Sequence, residues 1–179
     1  MGRSRSSSSD SGVAPDPPCR APRPLRIGVI GSGDATEEQV ALARCVGAAI
    51  ARAEAVTVCG GLGGVMAGAA DGAASEGGIV LGLLPGSSTE DASPGVNLPV
   101  PTGLGEARNA LVARTSEAVI AIAGEWGTLS EAAFCRKFGV PVIGLHANLP
   151  RRVIDETTHD PSEAVARAVE LAQSRRGMS

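Results

Sequence analysis

The chain has 179 residues, of which 43% are hydrophobic, 20% charged and 2% aromatic, and its formal net charge is −3. This length allows one domain with a sizeable core and is too short for two ordinary domains. The small negative charge and the scarcity of aromatic side chains argue against nucleic-acid binding, which needs a basic surface or stacking platforms for bases.

Export and membrane insertion are also disfavoured. No stretch reaches the roughly 18 apolar residues of a membrane span, and the N-terminus lacks the apolar segment of a secretion signal. The four cysteines, Cys19, Cys45, Cys59 and Cys135, are widely spaced, with no C-x-x-C pair. This spacing suggests neither a zinc site nor a disulfide framework. We therefore expect a cytoplasmic protein with reduced thiols, no metal and no membrane partner.

The N-terminal segment differs in composition from the rest of the chain. Residues 1–24 are rich in Ser, Pro and Arg and almost free of large apolar side chains. Such a segment buries too little apolar surface to offset the entropy of ordering. A transit peptide is disfavoured because Asp10, Asp16 and the prolines do not suit an amphipathic targeting helix. We predict a disordered tail over residues 1–24 and a single domain over residues 25–179.

The domain begins with a strand and a helix. An apolar run over residues 25–31 predicts a strand that ends in Gly31-Ser32-Gly33. A capping box formed by Thr36 and Gln39 predicts a helix over about residues 37–53. The glycines follow the order G-x-x-G-x-G, which differs from the G-x-G-x-x-G fingerprint of dinucleotide sites. A standard NAD site is therefore disfavoured.

The densest glycine cluster follows the second strand. Residues 55–59 predict that strand, which runs into Gly60-Gly61-Leu62-Gly63-Gly64 and a small-residue helix over about residues 65–76. Such a loop exposes consecutive N–H groups, as an anion nest requires. It lacks the Lys-Ser/Thr ending of a P-loop, which disfavours a triphosphate with magnesium. The alternative is close packing of an Ala/Gly helix on the sheet.

The middle of the chain contains a candidate phosphate ligand. The pattern predicts a strand over residues 79–84, a surface loop over residues 87–95 and a short strand over residues 96–100. A helix that carries Arg108 and Asn109 follows them. Arg108 lies near the start of this helix, and arginine suits bidentate phosphate binding. The alternative is a surface cation.

A second candidate anion site follows a buried strand in the stretch AVIAIAGEWGTLSE, residues 118–131. The apolar run predicts a strand buried on both faces, and Gly124, Gly127 and Thr128 predict a turn into a helix. The N–H groups and dipole of a helix start favour phosphate or carboxylate. The alternative is a tight turn that holds the helix against the sheet.

The remaining elements complete an alternating pattern. The helix is predicted to end at Gly139, and a strand over residues 140–145 follows, with Pro141 in the first turn of an edge strand. Asp160 and Pro161 begin a terminal helix. His146 and His159 lack partners at ligand spacing and are interpreted as structural or solvent-facing.

This alternation predicts an α/β fold of three layers, Rossmann-like, with a mostly parallel sheet and helices on both faces. Right-handed crossovers place every strand–helix turn at one edge of such a sheet. The loops at residues 31–33, 60–64 and 124–128 are therefore expected to converge at a switch point in the strand order.

Four motifs in order resemble one known family. They are GGLGGVMAGAADGA at residues 60–73, LGLLPG at 81–86, GLGEARN at 103–109 and GEWGTLSE at 124–131. Over about residues 25–145 the chain resembles the Lonely Guy (LOG)-like superfamily of Rossmann-fold proteins. The GEARN and GEWGTLSE forms are closest to its molybdenum-cofactor carrier protein-like group. This resemblance implies a homodimer and a phosphorylated ligand, either a nucleotide or molybdenum cofactor.

The resemblance extends to the phosphoribohydrolases of the superfamily, which release free base from nucleoside 5′-monophosphates. Their catalytic Arg and Glu match Arg108 and Glu131. The chain departs from them at Asn109, where they have Lys, at Ala123, where they have Pro, and at Glu125, where they have Gly. A carboxylate at position 125 would repel a phosphate, so the resemblance implies binding without turnover first and N-glycosidic hydrolysis second.

The site expected from loops and resemblance combined needs no cofactor or metal. Its predicted ligand- and phosphate-binding residues are Gly31, Ser32, Gly33, Gly60, Gly61, Gly63, Gly64, Met66, Arg108, Asn109, Gly124, Gly127 and Thr128. Arg108 and Glu131 are predicted to be catalytic only if the protein is a hydrolase. Lysine decarboxylase, an old label of the superfamily, is rejected because the only lysine, Lys137, lies at the far end of its helix. A purely structural interaction domain is the third hypothesis.

Overall fold

A seven-stranded sheet forms the centre of the computed structural model, which describes residues 23–177. Its strands are β1 (Arg26–Gly31), β2 (Val56–Cys59), β3 (Val80–Leu84), β4 (Leu98–Pro101), β5 (Ala118–Ile122), β6 (Val142–Leu145) and β7 (Glu156–Thr158). The order is β4-β3-β2-β1-β5-β6-β7, and every neighbouring pair is parallel. The predicted parallel sheet is confirmed. The tail predicted for residues 1–24 lies outside the described residues except for its last two positions.

Helices cover both faces of this sheet, as predicted. They are α1 (Glu37–Arg52), α2 (Val65–Ser75), α3 (Asn109–Thr115), α4 (Trp126–Phe138) and α5 (Pro161–Gly177), with 3-10 turns at Gly105–Arg108 and Arg151–Val153. Side chains of α1 and α5 pack on one face, where they meet Ile120 of β5. Side chains of α3 and α4 pack on the other face, where they meet Val119. Successive residues of β5 thus point into opposite core layers.

The helix ends follow the chemistry of their sequence. Thr36 Oγ1 accepts from the N–H of Gln39 at 3.3 Å, and the Thr36 N–H donates to Gln39 Oε1 at 3.1 Å, so the predicted capping box is confirmed. Gly139 ends α4 in the left-handed conformation, with φ 65°. Asp160 Oδ1 accepts from the N–H of Glu163 at 2.8 Å and caps α5.

Glycines let α1 and α2 approach each other closely. A Cβ added at Gly47 of α1 would lie 1.9 Å from the carbonyl oxygen of Ala69, and one added at Gly72 of α2 would lie 2.0 Å from that of Arg44. The small residues of α2 therefore do serve close packing, as in the alternative interpretation. The helix that they pack against is mainly α1, whereas that interpretation named the sheet.

The prediction that Pro141 belongs to an edge strand is wrong. Strand β7 pairs with β6 through Ile143 and Glu156, so β7 is the edge. Pro141 lies just before β6, where its carbonyl accepts from the N–H of Val119 at 2.9 Å. Strand β7 was not predicted because its three residues, Glu156–Thr158, carry no apolar alternation.

His146 and His159 are both exposed, as predicted, but they contact each other. Their ring centroids lie 4.7 Å apart, and their Nδ1 atoms are 3.3 Å apart. Between residues 23 and 177, no helix combines the length and apolar character needed to cross a membrane.

Candidate functional site

A cleft opens where the strand order switches direction, at the carboxyl ends of β1 and β5. The chain leaves β1 toward β2 on one side and leaves β5 toward β6 on the other, which is the position where ligands bind in open α/β sheets. The cleft has a volume of about 190 Å³. Its lining residues are Gly31, Ser32, Gly33, Met66, Glu106, Arg108, Asn109, Glu125, Gly127, Thr128 and Glu131.

Most of the predicted site residues are brought together in this cleft, from four segments distant in sequence. Five are not among its lining residues: Gly60, Gly61, Gly63, Gly64 and Gly124. They lie behind or beside the cleft. Gly64, at φ 63°, packs against the carbonyl oxygens of Ser32 and Gly33. The N–H of its neighbour Val65 donates to the carbonyl oxygen of Ser32. The second glycine loop thus supports the first.

A buried ion pair lies at the base of the cleft. Arg108 ends the 3-10 turn Gly105–Arg108, and its Nη1 lies 3.4 Å from Oε1 of Glu131 on α4. Arg108 is 7% exposed and Glu131 is 6% exposed. The expectation that Arg108 is a surface cation is therefore excluded by its burial.

Gly60 makes room for this guanidinium. A Cβ at position 60 would lie 2.4 Å from Nη1 of Arg108 and 2.6 Å from both Cζ and Nη2. No side chain other than hydrogen fits beside the group in this position. Gly60 therefore acts on the site through Arg108, although it does not line the cleft.

Burial raises the pKa of Glu131 to about 7, since the apolar surroundings disfavour the carboxylate. Arg108 opposes this shift by attraction, and the negative charge of Glu106 adds to it. Glu131 therefore exchanges its proton near neutral pH, which is the range in which a carboxyl acts as a general acid or base.

Two buried polar atoms of the cleft have no hydrogen-bond partner within residues 23–177: Nε of Arg108 and Oγ1 of Thr128. Both belong to side chains that line the cleft. Buried polar groups in proteins are normally hydrogen-bonded, so each such atom needs an explanation. An acceptor that enters the cleft would satisfy them, because an N–H and a hydroxyl both donate.

The first turn of α4 faces the same cleft. Leu129 makes the first internal bond of the helix, to the carbonyl of Glu125, so the N–H groups of Trp126, Gly127 and Thr128 have no partner inside the helix. No side chain in the described part of the chain caps this end. The free N–H groups and the helix dipole favour an anion here.

Asn109 fixes the position of that turn. Its Nδ2 donates to Ser130 Oγ at 3.0 Å, and Ser130 Oγ donates to the carbonyl of Gly127 at 2.7 Å. Asn109 is 5% exposed and lines the cleft. Where the phosphoribohydrolases carry a lysine, this chain therefore has a neutral amide that connects α3 with α4.

Two exposed carboxylates, Glu106 and Glu125, form the rim of the cleft. Glu106 is absent from the predicted site, because a glutamate beside an arginine at a helix start is usual on a solvated face. Its position two residues before Arg108 was the available signal. Together with Glu131, these two rim carboxylates give the cleft three carboxyl groups and one guanidinium. Protonation of Glu131 removes one of the negative charges, and the cleft then repels an anionic ligand less. No group of three His, Cys, Asp or Glu side chains in the described part of the chain is placed to hold a metal ion.

Comparisons with known proteins agree with the family and the fold. A family model described as the SLOG cluster4 family matches residues 24–174. An uncharacterised protein of Archaeoglobus fulgidus is 38% identical over 143 residues, which represent 79% of this chain and 92% of that protein.

Solved structures of two molybdenum-cofactor proteins are also similar. The molybdenum cofactor carrier protein of Chlamydomonas reinhardtii has a TM-score of 0.77 and 32% identity, over 84% of this chain and 99% of that one. The molybdenum cofactor binding protein of the phototrophic bacterium Rippkaea orientalis has a TM-score of 0.73 and 31% identity, over 85% and 97%.

Proposed function

Because this chain belongs to the SLOG cluster4 family, we propose that it binds a phosphorylated small molecule in the cleft at the carboxyl ends of β1 and β5. A nucleotide and molybdenum cofactor are the leading ligands. The similarity to two structures of molybdenum-cofactor proteins supports the second of these. In this proposal molybdenum cofactor is cargo that the protein holds and does not convert.

The observation that carries the proposal is the set of unused donors around the cleft. Among the described residues, Arg108 Nε and Thr128 Oγ1 are buried without partners, and the first N–H groups of α4 have no partner inside the helix. These donors belong to one guanidinium, one hydroxyl and one helix start, and each of these groups binds phosphate oxygens well. A ligand phosphate would satisfy all of them at once.

The second candidate function is hydrolysis of the N-glycosidic bond of a nucleoside 5′-monophosphate, and the raised pKa of Glu131 favours it. In this reaction the bond between C1′ and the base nitrogen breaks. Water supplies the oxygen that joins C1′ and the proton that leaves with the base. Glu131 would take that proton from water or stabilise positive charge on the ribose, while Arg108 would hold the phosphate.

Incubation with a panel of nucleoside 5′-monophosphates tests which function holds. We expect ribose 5-phosphate and at least one nucleotide to bind, with no free base detected by chromatography, and native mass spectrometry of the fresh protein to show a phosphorylated ligand. Base release by the parent protein that is lost in Glu131→Gln would instead establish the hydrolase. Failure of every phosphorylated ligand to shift the thermal unfolding midpoint would favour a structural interaction domain.

Replacing Gly60 with alanine is expected to weaken ribose 5-phosphate binding about 10-fold, since the new methyl group would displace the Arg108 guanidinium. Calorimetric titration of the folded variant measures this. Gly86→Ala is the matched control, because Gly86 is exposed and a Cβ there would meet no atom of residues 23–177 closer than 4.0 Å. Equal affinity of the two variants would contradict a role for Gly60 in placing Arg108.

We further propose a cytoplasmic homodimer. Four apolar side chains remain exposed on edge strand β4 and in the segment that follows it, at Leu98, Val100, Leu104 and Leu111. Neighbouring apolar side chains of this size on a protein surface favour contact with another chain. Sedimentation of the purified protein measures its assembly.

A further inference from the structure

Trp126 is the only tryptophan of the chain, and its side chain lies almost wholly in solvent, with 86% exposure. It is the first residue of α4, and the two residues that follow it line the cleft. Tryptophan offers a large flat surface at a small cost in conformational entropy, and its exposure beside a binding site indicates a contact surface.

A groove lies next to this ring. Its volume is about 410 Å³, and its walls are formed by Trp126, Leu129, Leu149 and Pro150. The polar residues among those that line the groove are Asn148 and Glu125. Apolar walls with a few polar groups are typical of sites that hold the organic part of a ligand.

The groove and the cleft share one lining residue, Glu125. The cleft alone, at about 190 Å³, is smaller than the roughly 300–1,000 Å³ that ordinary small-molecule sites occupy. It has room for a phosphate and little more. The rest of a phosphorylated ligand must extend out of the cleft, and the groove is a space that shares Glu125 with it.

We propose that this groove binds the planar heteroaromatic ring of the ligand, stacked on Trp126, and that Glu125 selects rings of the guanine or pterin type. Both ring types present a ring N–H beside an amino group, and a carboxylate accepts both hydrogen bonds side by side. Adenine presents no such pair. The inference rests on the proposed function, since the phosphate in the cleft brings the ring to the groove.

This assignment gives Glu125 a binding role in place of the repulsion expected from its charge. Glu125 is the residue immediately before α4, and it lines the cleft as well as the groove that Trp126 lines. Its carboxylate is exposed and caps no helix N–H. It is therefore free to accept hydrogen bonds from a ligand, whereas a glycine at this position has no side chain that could bind the ring.

Calorimetric titration of the full chain with guanosine 5′-monophosphate, adenosine 5′-monophosphate and ribose 5-phosphate tests the proposal. Trp126→Ala is expected to weaken binding of the guanosine nucleotide by about 5- to 150-fold, the range found for loss of one base–aromatic stack. Binding of ribose 5-phosphate should be unchanged. Trp126→Phe, which keeps a flat ring, should retain most of the affinity, and Glu125→Gln should remove the preference for guanosine over adenosine.

Other results would overturn the proposal. If Trp126→Ala binds both nucleotides as the parent does, the proposed function stands and the stacking role fails. If the parent binds none of the three ligands, both fail. If the variant loses nucleotide and ribose 5-phosphate equally and also sediments as a smaller species, Trp126 contacts a second copy of the chain and not the ring.

Discussion

The free energy of unfolding is expected to fall by on the order of 3 kcal/mol as the pH rises from about 4.5 to about 8, and Glu131 is the cause. Its pKa is about 7 in the folded protein and has the ordinary value of 4.5 in the unfolded chain. Over this window the unfolded chain has released a proton that the folded protein still binds. The stabilisation is complete below pH 4.5 and is lost as the pH rises through 7.

Urea unfolding of the parent and of Glu131→Gln at several pH values measures this effect. Glutamine keeps the shape of the side chain and does not titrate, so the difference between the two proteins should grow with pH and then level above pH 8. Glu90→Gln, at an exposed position, is the control and should follow the parent. Parallel curves for the parent and Glu131→Gln would contradict a raised pKa at this site.

Glu117, a second buried carboxyl, does not change the expected pH dependence of stability between about pH 4.5 and about pH 8. Burial alone would raise the pKa of Glu117, but hydrogen bonds from Arg176 and Arg26 bring it below the ordinary value. A carboxyl of this kind contributes stability above pH 4.5 and loses it as the solution becomes more acidic. The pH dependence due to Glu117 therefore lies on the acid side of that due to Glu131.

Replacing Gly47 with alanine is expected to lower the free energy of unfolding by about 3 kcal/mol, at the upper end of the usual cost of overpacking. The new methyl carbon would lie 1.9 Å from the carbonyl oxygen of Ala69, and a backbone atom cannot rotate away as a flexible side chain can. The two helices must separate. Since α2 carries Met66 to the cleft, ligand binding should weaken as well.

Chemical denaturation compares this variant with Gly177→Ala. Gly177 ends α5, and a Cβ there would meet no atom of the described chain within 4 Å. The same chemical change at Gly177 should alter the free energy of unfolding by no more than about 0.5 kcal/mol, the range of ordinary surface substitutions. A similarly small effect of Gly47→Ala would show that the approach of α1 and α2 is looser than the distances indicate.

The alternation of strands and helices predicted the fold because each element carries its own periodicity. Thr36, Gln39 and Gly139 marked helix ends through local hydrogen bonds, which act within a few residues. Strand β7 could not be predicted in this way, since its place depends on pairing with β6 and not on its own three side chains.

The candidate site was predictable in part for a related reason. Arg108 and Glu131 stand in motifs of recognisable spacing, and the sheet topology then brings them within 3.4 Å. The sequence did not distinguish glycines that line the cleft from glycines that make room behind it. Gly60 belongs to the second kind because of the distance from its backbone to a guanidinium, which only the three-dimensional structure provides.

The pairing of β1 with β5 decides when the cleft first exists during synthesis. Gly31 is paired with Ile122, so the two sides of the cleft come from segments that leave the ribosome far apart in time. Joining segments so distant in sequence requires closure of a long loop, which is slow and comes late in folding. The growing chain therefore cannot bind the ligand until α4 has left the ribosome. Ligand binding is expected only to chains that have been synthesised through that helix.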